Sequence, residues 1–248
     1  MIVHINCTAN LGDFSNALPV ISGLYKSLNE KITLIIRPEM RKFNGIKEFL
    51  KCQPMIKDVN FSDEVFAYGT NVIDMSSWTR LYKVKDRPME TCAYENWVKD
   101  RFGIQFEVDD DFQIEVPYRE VELTDKVIIG DRWSNKQDPS IDARRNTNVV
   151  ENGAQPNPDK VIYLDYSKDL LYNCNLIKQS SKPFVTTFTG IGIIADLMNK
   201  ETIVCWDEDM RVWDGKPVEY DFERHYYTDR KSKLVHVKDL EKENELFA

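Results

Sequence analysis

Apolar positions in the first hundred residues follow two patterns, short continuous runs and runs with a helical period. The run at residues 2–6 predicts a buried strand, and the apolar period from about Ser15 to Leu28 predicts a helix. Between them, Leu11-Gly12-Asp13 predicts a tight turn. Further strands are predicted at 31–37, 58–61 and 72–75, and further helices at 43–53 and 94–102. Gly103 is expected to end the last helix, since glycine readily adopts the left-handed conformation found there.

The same alternation restarts at residue 126 and continues through the second half. Helices are predicted at 168–180 and 191–199, between four strands. Strands that alternate with helices form parallel sheets, so their carboxyl ends meet at one edge, where ligands of open α/β sheets bind. The residues expected along that edge are Arg132, Asp165, Thr187, Thr189 and Asp207.

The segment 107–125 separates the two halves and has the composition of a linker. It begins with the acidic run Asp109-Asp110-Asp111, contains Pro117, and ends in mixed charges. We therefore predict an α/β protein of two domains, residues 1–118 and 119–248, with the boundary good to several residues.

Composition and charge exclude several classes of protein and of binding site. The 248 residues are 42% hydrophobic with a net charge of −8, which indicates a globular chain without an all-over basic face for nucleic acid. No apolar run approaches the ~20 residues of a membrane span, and no basic segment precedes the first apolar run, so neither membrane insertion nor a signal peptide is expected. The five cysteines are scattered and the three histidines lie far apart, which predicts reduced thiols in the cytoplasm and no histidine-rich metal site.

Two junctions between a predicted strand and a predicted helix contain residues that could react with a ligand or bind it. Asp13 follows the first predicted strand, where a reacting group is placed in such sheets, although it could equally cap the following helix. Thr189-Gly190 joins a strand to an apolar helix, and a helix N-terminus of this kind binds phosphate through its amides, although an ordinary capped junction has the same pattern. If phosphate binds there, Gly190→Val is expected to weaken binding with little loss of thermal stability.

Gly12-Asp13 followed by Leu18-Pro19-Val20 resembles the opening of the heptosyltransferase-like glycosyltransferases of the GT-B fold. The helix ending in Phe-Gly-Ile, the later Ile-Glu-Val-Pro, and Thr189-Gly190 with Ala195 and Lys200 stand in the order found in that family. Two departures are present: Phe188 replaces an acidic residue, and Ile194 stands where histidine is common. The resemblance implies two Rossmann-like domains with a cleft between them, the second trimmed because the chain is short.

The resemblance also implies an activity. A metal-independent transferase would move a sugar from a nucleotide-diphospho-sugar, UDP- or ADP-linked, to an acceptor hydroxyl, with no further cofactor. Asp13 would be the catalytic base. The residues expected to bind the donor are Gly12, Arg132, Lys136, Asp165, Thr187, Thr189 and Gly190. Arg144 and Arg145 are further candidates for the basic contact to phosphate.

The acceptor is predicted to be a hydroxymethylated base in double-stranded viral DNA, because the size and composition resemble proteins of large bacteriophages. The local basic cluster Arg37, Arg41 and Lys42, which follows the second strand, is the expected acceptor-binding surface. Two alternatives stay open. One is transfer to lipopolysaccharide or another surface glycan, and the other is an inactive nucleotide-sugar-binding module, which Phe188 favours.

Overall fold

Two parallel β-sheets with helices packed against them form the protein. The computed structural model describes residues 1–5, 8, 10–64, 71–75, 83–122, 125–130, 157–207 and 216–240. Within these residues, the first sheet has the strand order β3-β2-β1-β4 and the second the order β6-β5-β7-β8-β9. All strand pairs are parallel, which confirms the predicted α/β class.

The first sheet comes from the first half of the chain. Its strands are β1 (Ile2–Ile5), β2 (Ile32–Ile36), β3 (Ile56–Phe61) and β4 (Val72–Met75). The helices of this half are α1 (Leu11–Ser15), α2 (Leu18–Leu28), α3 (Ile46–Lys51) and α4 (Met89–Phe102), with a 3-10 helix at Pro38–Lys42. The central strands β1 and β2 bury most of their apolar side chains, as expected of parallel strands covered on both faces, although Ile2 is exposed and Ile35 is half-buried.

The second sheet comes from residues after 126. Its strands are β5 (Val127–Gly130), β6 (Val161–Tyr163), β7 (Phe184–Thr186), β8 (Thr202–Trp206) and β9 (Ser232–His236). The helices are α5 (Leu170–Gln179), α6 (Gly190–Leu197) and α7 (Val218–His225), followed by a 3-10 helix at Val237–Asp239. The parallel arrangement brings the carboxyl ends of β5, β6, β7 and β8 to one edge, as predicted from the alternation.

The tight turn predicted at Leu11-Gly12-Asp13 is wrong, since these residues form the first turn of the short helix α1. A second helix, α2, then begins at Leu18, so the predicted single helix is in fact two. Pro19 explains the break, because its ring would clash with the carbonyl group of Ser15 in a continuous helix. In the first turn of α2 the missing N–H of Pro19 costs nothing.

Helix α4 begins five residues before the predicted start, at Met89. It ends as predicted, because Gly103 adopts the left-handed conformation with a φ of 66° and donates its N–H to the carbonyl of Lys99. The Tyr82 and Trp78 region that precedes it lies outside the described residues.

The predicted linker has no helix or strand in its described part, but it is not a solvated tether. Alternate side chains are buried at Phe106 and Val108 and again at Phe112, Ile114 and Val116, with the exposed Asp110 between the two runs. These apolar side chains belong to one continuous hydrophobic core that includes residues of both sheets. We call residues 104–122 the connector.

Polar contacts also hold the connector in place. The Asp109 carboxylate accepts a hydrogen bond from the Ser22 hydroxyl at 2.6 Å and forms an ion pair with Lys26 at 2.7 Å. From the second half of the chain, the Arg230 guanidinium donates to the carbonyls of Asp110 and Phe112 at 2.8 and 2.9 Å. The acidic run is thus paired with both halves, and the predicted boundary at residue 118 stays a prediction.

In the described part of the chain, no helix is both long and apolar enough to cross a bilayer. The cytoplasmic location stays a prediction.

Candidate functional site

Asp13 lies in the first turn of α1, just beyond the carboxyl end of β1. Its carboxylate is half-buried and accepts hydrogen bonds from the Thr8 hydroxyl at 3.3 Å and the Asn10 amide at 3.4 Å. The N-cap position of α1 is occupied by Asn10. Among the described residues, the hydrogen bonds to Asp13 come from side chains, and the carboxylate is partly open to a ligand.

Two residues that the sequence analysis did not single out lie beside Asp13. One carboxylate oxygen of Asp13, one of Glu90 and one ring nitrogen of His225 all lie within 4.8 Å of one another. The three come from α1, α4 and α7, and α7 packs against α4. No local pattern marks Glu90 or His225 as functional, because only the packing of these helices joins them. We call these three residues the Asp13 cluster.

Glu90 is the most buried member of the Asp13 cluster, with 2% of its surface exposed. One of its carboxylate oxygens, Oε1, accepts two hydrogen bonds from the Arg224 guanidinium, with the Nε contact at 2.7 Å. The other oxygen, Oε2, has no hydrogen-bond partner among the described residues. A buried carboxylate oxygen without a donor costs free energy, so one more hydrogen-bond donor to Oε2 would stabilise Glu90.

His225 is held from the other side by Asn16, whose side-chain amide lies 3.4 Å from the ring nitrogen Nδ1. Burial lowers the pKa of His225 below its usual value, and the carboxylates of Asp13 and Glu90 oppose that effect in part. The neighbouring Arg224 guanidinium adds to the lowering. The lowered pKa favours the neutral form of the imidazole.

Two carboxylates and an imidazole at this separation are a possible ligand set for a divalent cation. The Arg224 guanidinium already neutralises Glu90, which weakens that carboxylate as a cation ligand. The expected metal independence stays a prediction.

The predicted strand–turn–helix junction is found at the start of α6. Thr189 is the N-cap residue, and its hydroxyl accepts a hydrogen bond from the Gly192 N–H at 3.2 Å and lies 2.8 Å from the Thr186 hydroxyl. The Thr187 hydroxyl is buried and has no hydrogen-bond partner among the described residues. The junction thus combines a helix N-terminus with an unused hydroxyl donor. We call residues 187–190 the α6 turn.

The α6 turn lies directly against α1. A Cβ atom built on Gly190 would lie 2.7 Å from the backbone nitrogen of Gly12 and 2.7 Å from Cβ of Leu11. The expectation that Gly190→Val would leave stability nearly unchanged is therefore wrong, because α1 fills the space that a side chain would need. Gly12 and Gly190, both expected to bind the donor, are brought together.

The other predicted donor residues are placed differently. Asp165 is exposed beyond the end of β6, where its carboxylate accepts hydrogen bonds from the Ser167 N–H at 2.9 Å and the Ser167 hydroxyl at 2.6 Å. Strand β5 lies between β6 and β7, so Asp165 stands two strands from the α6 turn. Arg132 and Lys136, with Arg144 and Arg145, lie outside the described residues.

The predicted basic cluster follows β2, whose carboxyl end neighbours that of β1. Arg37 forms an ion pair with Glu39, and that hydrogen bond lowers the pKa of the glutamate. The Arg41 guanidinium lies 4.5 Å from the centre of the Phe61 ring, and the Lys42 ammonium lies 5.1 Å from that of Phe43. Arg37 and Lys42 thus have contacts within their own segment, and Arg41 contacts the end of β3.

Comparison with known proteins supports the fold. No protein-family model matches the chain, and no curated protein matches it. Three solved structures resemble it over almost its whole length. They are the glycosyl transferase family 9 protein from Veillonella parvula DSM 2008 (TM-score 0.56, 14% identity, covering 100% of this chain and 89% of that one), E. coli heptosyltransferase WaaC with ADP (0.55, 11%, 100% and 99%), and E. coli ADP-heptose LPS heptosyltransferase II (0.54, 12%, 99% and 98%).

The chain has a heptosyltransferase-like glycosyltransferase fold. At these identities the likeness shows the fold alone, and it confirms the expectation of an α/β protein with two parallel sheets of GT-B type. The interdomain cleft, the trimmed second domain and the viral DNA-modifying relationship stay predictions.

Proposed function

We propose that this protein transfers a sugar from a nucleotide-diphospho-sugar to a hydroxyl group of a saccharide acceptor. One observation carries the proposal: the packing of α1 against α6, which sets the helix bearing Asp13 beside the α6 turn. A candidate base and a candidate phosphate site are the two parts that such a reaction needs close together.

In the proposed reaction, Asp13 accepts the proton of the acceptor hydroxyl as its oxygen attacks the anomeric carbon. The bond from that carbon to the diphosphate breaks, and the electron pair leaves on the diphosphate oxygen. The N–H groups at the start of α6 and the Thr187 hydroxyl stabilise the charge that develops there. The half-exposed carboxylate of Asp13 suits a group that must meet an incoming hydroxyl.

The proposed donor is ADP-linked rather than UDP-linked. The support comes from two similar structures, which hold E. coli heptosyltransferase WaaC with ADP and with ADP-2-deoxy-2-fluoro heptose. The buried, unpartnered hydroxyl of Thr187 fits a diphosphate oxygen, which accepts hydrogen bonds only and is present in ADP- and UDP-linked donors alike.

The proposed acceptor is a lipopolysaccharide or another surface glycan, the alternative of the sequence analysis. One of the three similar structures is named an ADP-heptose LPS heptosyltransferase, and none of these three is named for an action on DNA. The basic cluster at Arg37, Arg41 and Lys42, on which the DNA acceptor rested, is partly neutralised by Glu39. The viral DNA acceptor therefore has no support.

An inactive nucleotide-sugar-binding module is the second candidate, and one observation favours it. Phe188 stands where the resembling family has an acidic residue, and its ring packs edge-on against that of Tyr226 at 6.3 Å between centroids. An apolar contact replaces any acidic contact to the donor at that position.

The test separates the two candidates. Calorimetry with ADP measures donor-site binding, and mass spectrometry after incubation with ADP-heptose and a truncated lipopolysaccharide acceptor measures transfer. Binding with transfer supports the enzyme, binding without transfer to any saccharide supports the module, and no binding of ADP or UDP contradicts both. Hydroxymethylated DNA is included as a second acceptor, and transfer of sugar to it would support DNA as the acceptor instead of a saccharide.

A further inference from the structure

Tyr226 directly follows the last residue of α7, and its phenol ring is completely buried. The ring stacks on that of Phe222 at 5.0 Å between centroids and meets the ring of Phe188 edge-on. The hydroxyl makes no hydrogen bond within the part of the chain that the structure describes. A buried O–H without an acceptor costs free energy, so packing alone does not account for a tyrosine at this position.

The hydroxyl oxygen of Tyr226 lies against the first turn of α6. It is 2.5 Å from the position that a Cβ atom on Gly192 would occupy, and the Thr189 hydroxyl oxygen is 3.4 Å from the same position. Burial raises the pKa of Tyr226 and the Asp196 carboxylate adds to the effect, while the Thr189 N–H is near enough to oppose it in part. The phenol is therefore protonated, and its O–H is a donor beside the residue that caps α6.

We propose that Tyr226 is a further donor-binding residue, whose O–H donates a hydrogen bond to an oxygen of the diphosphate bound at the α6 turn. The inference rests on the proposed function. The first N–H groups of α6 have no partner within their own helix, and the unpartnered Thr187 hydroxyl belongs to the same turn. Because diphosphate oxygens only accept hydrogen bonds, they suit a site made of donors.

The position of Tyr226 is fixed by its neighbours in the chain. On one side, the Arg224 guanidinium donates two hydrogen bonds to the Glu90 carboxylate of α4. On the other side, the Tyr227 N–H donates to the Asp196 carboxylate at 3.3 Å. A hydroxyl held in this way loses little conformational freedom when a ligand binds, which favours affinity.

Phe188 takes part in the same arrangement. The resembling family has an acidic residue at this position, whereas here a phenyl ring packs against Tyr226 at 6.3 Å between centroids. A phenyl ring has no lone pair to accept the phenol O–H, so that hydrogen bond stays available to a ligand. The departure from the family at Phe188 is thus compatible with donor binding.

The first experiment removes the hydroxyl and keeps the ring. Calorimetry should show Tyr226→Phe binding ADP about tenfold more weakly than wild type, the effect of one hydrogen bond to a charged group. Its melting temperature should be equal or higher, because an unpaired buried hydroxyl is gone. The matched control is Tyr227→Phe, which should bind ADP as wild type does. The Tyr227 hydroxyl is also buried and without a partner among the described residues, but its ring packs against the Arg230 guanidinium at 4.0 Å. Equal ADP affinity of Tyr226→Phe and wild type overturns the proposal.

The second experiment keeps the hydroxyl and locates the ligand. With 3-fluorotyrosine in place of Tyr226 in the full chain, the ¹⁹F NMR signal should shift when ADP or inorganic pyrophosphate is added. Adenosine, which has no phosphate, should leave the signal unmoved. The same label in place of Tyr227 should respond to neither phosphate compound. A label at position 226 that responds to neither ADP nor pyrophosphate overturns the proposal, even if the phenylalanine variant does not fold.

The outcomes also separate this inference from the proposed function. If ADP and pyrophosphate shift the label at position 226 but no sugar is transferred, the proposed transfer is wrong and the binding role of Tyr226 stands. If sugar is transferred but Tyr226→Phe binds ADP like wild type, the transfer stands and the role of Tyr226 is refuted. An equal loss of ADP and adenosine affinity in Tyr226→Phe would mean a general distortion of the site, which also refutes the contact with the diphosphate.

Discussion

The backbone nitrogen of Gly12 lies 2.7 Å from the position that a Cβ atom on Gly190 would occupy. The first glycine precedes Asp13 in α1, and the second begins α6 in the other half of the chain. A glycine is needed at position 190 because the backbone of α1 lies against it, whereas a Cβ atom on Gly12 would overlap only with the end of the Ile193 side chain, at 2.9 Å. The contact between the two glycines sets the distance between the candidate base and the candidate phosphate site.

Gly190→Ala should destabilise the protein by about 1–3 kcal/mol, because the added methyl group overlaps α1. Urea denaturation measures the change in free energy of unfolding. Gly103→Ala is the comparison, since Gly103 has open space around its Cβ position and carries only the cost of a φ of 66°, roughly 1 kcal/mol. Equal stability of wild type and Gly190→Ala would mean that α1 and α6 do not touch in solution.

Asp13→Asn should reduce transfer about a hundredfold or more, as the loss of a general base does. Affinity for ADP and the melting temperature should stay close to the wild-type values, because the described residues make two long hydrogen bonds to Asp13, at 3.3 and 3.4 Å. Asp111→Asn, an exposed position in the connector, controls for the change of charge. Near-normal turnover in Asp13→Asn would remove Asp13 from the chemistry.

Thr187→Val should weaken ADP binding without lowering the melting temperature. The buried hydroxyl has no hydrogen-bond partner among the described residues, so its replacement by a methyl group should leave the melting temperature equal or higher. If this hydroxyl binds the diphosphate, affinity for ADP should fall about tenfold, the effect of one hydrogen bond to a charged group. Thr202→Val, at the opposite end of the same sheet, should leave ADP affinity unchanged.

Ionisation of Asp196 should lower the free energy of unfolding as the pH rises. Burial raises the pKa of this carboxyl group to about 6, although the Ser232 hydroxyl and Arg230 favour its ionised form. A raised pKa means that the folded state holds the proton more tightly than the unfolded chain, so stability is full below pH 4 and falls between pH 4 and 6. The change of about 2 pKa units corresponds to about 3 kcal/mol.

Asp196→Asn isolates this contribution, because the opposite effect of His225, whose pKa is lowered, is present in both proteins. Denaturant unfolding at pH 4 and at pH 8 should show the variant gaining about 3 kcal/mol relative to wild type at the higher pH. A pH-independent difference between the two proteins would contradict the prediction.

Much of the fold follows from local sequence patterns. Strands β1, β2 and β4 and helix α6 follow from the sequence because each is a continuous apolar or apolar-periodic run with clear boundaries. The connector differs from the linker prediction because the run Asp109-Asp110-Asp111 is typical of solvent-exposed chain, whereas the apolar residues on either side of it alternate with polar ones, a pattern that indicates burial on one side.

The Asp13 cluster could not have been predicted in the same way. Helix α7 has only eight residues with mixed charges, and β9 carries Lys233 and ends in His236, so neither shows a strong period. Even with both elements known, nothing local indicates that α7 packs on α4 and brings His225 to Asp13. The packing of distant helices brings Glu90 and His225 to the site, whereas the position of Asp13 follows from the first strand.

The connector makes the folding of each half of the chain depend on the other half. Its apolar side chains belong to a core that both sheets share, and Asp109 and Arg230 fasten it to residues from each half. Neither half could therefore be expressed alone without exposing a row of apolar side chains that the other half normally covers. We expect heating to melt the two sheets in one cooperative transition, and a chain cut within the connector to yield fragments that are soluble only when they are refolded together.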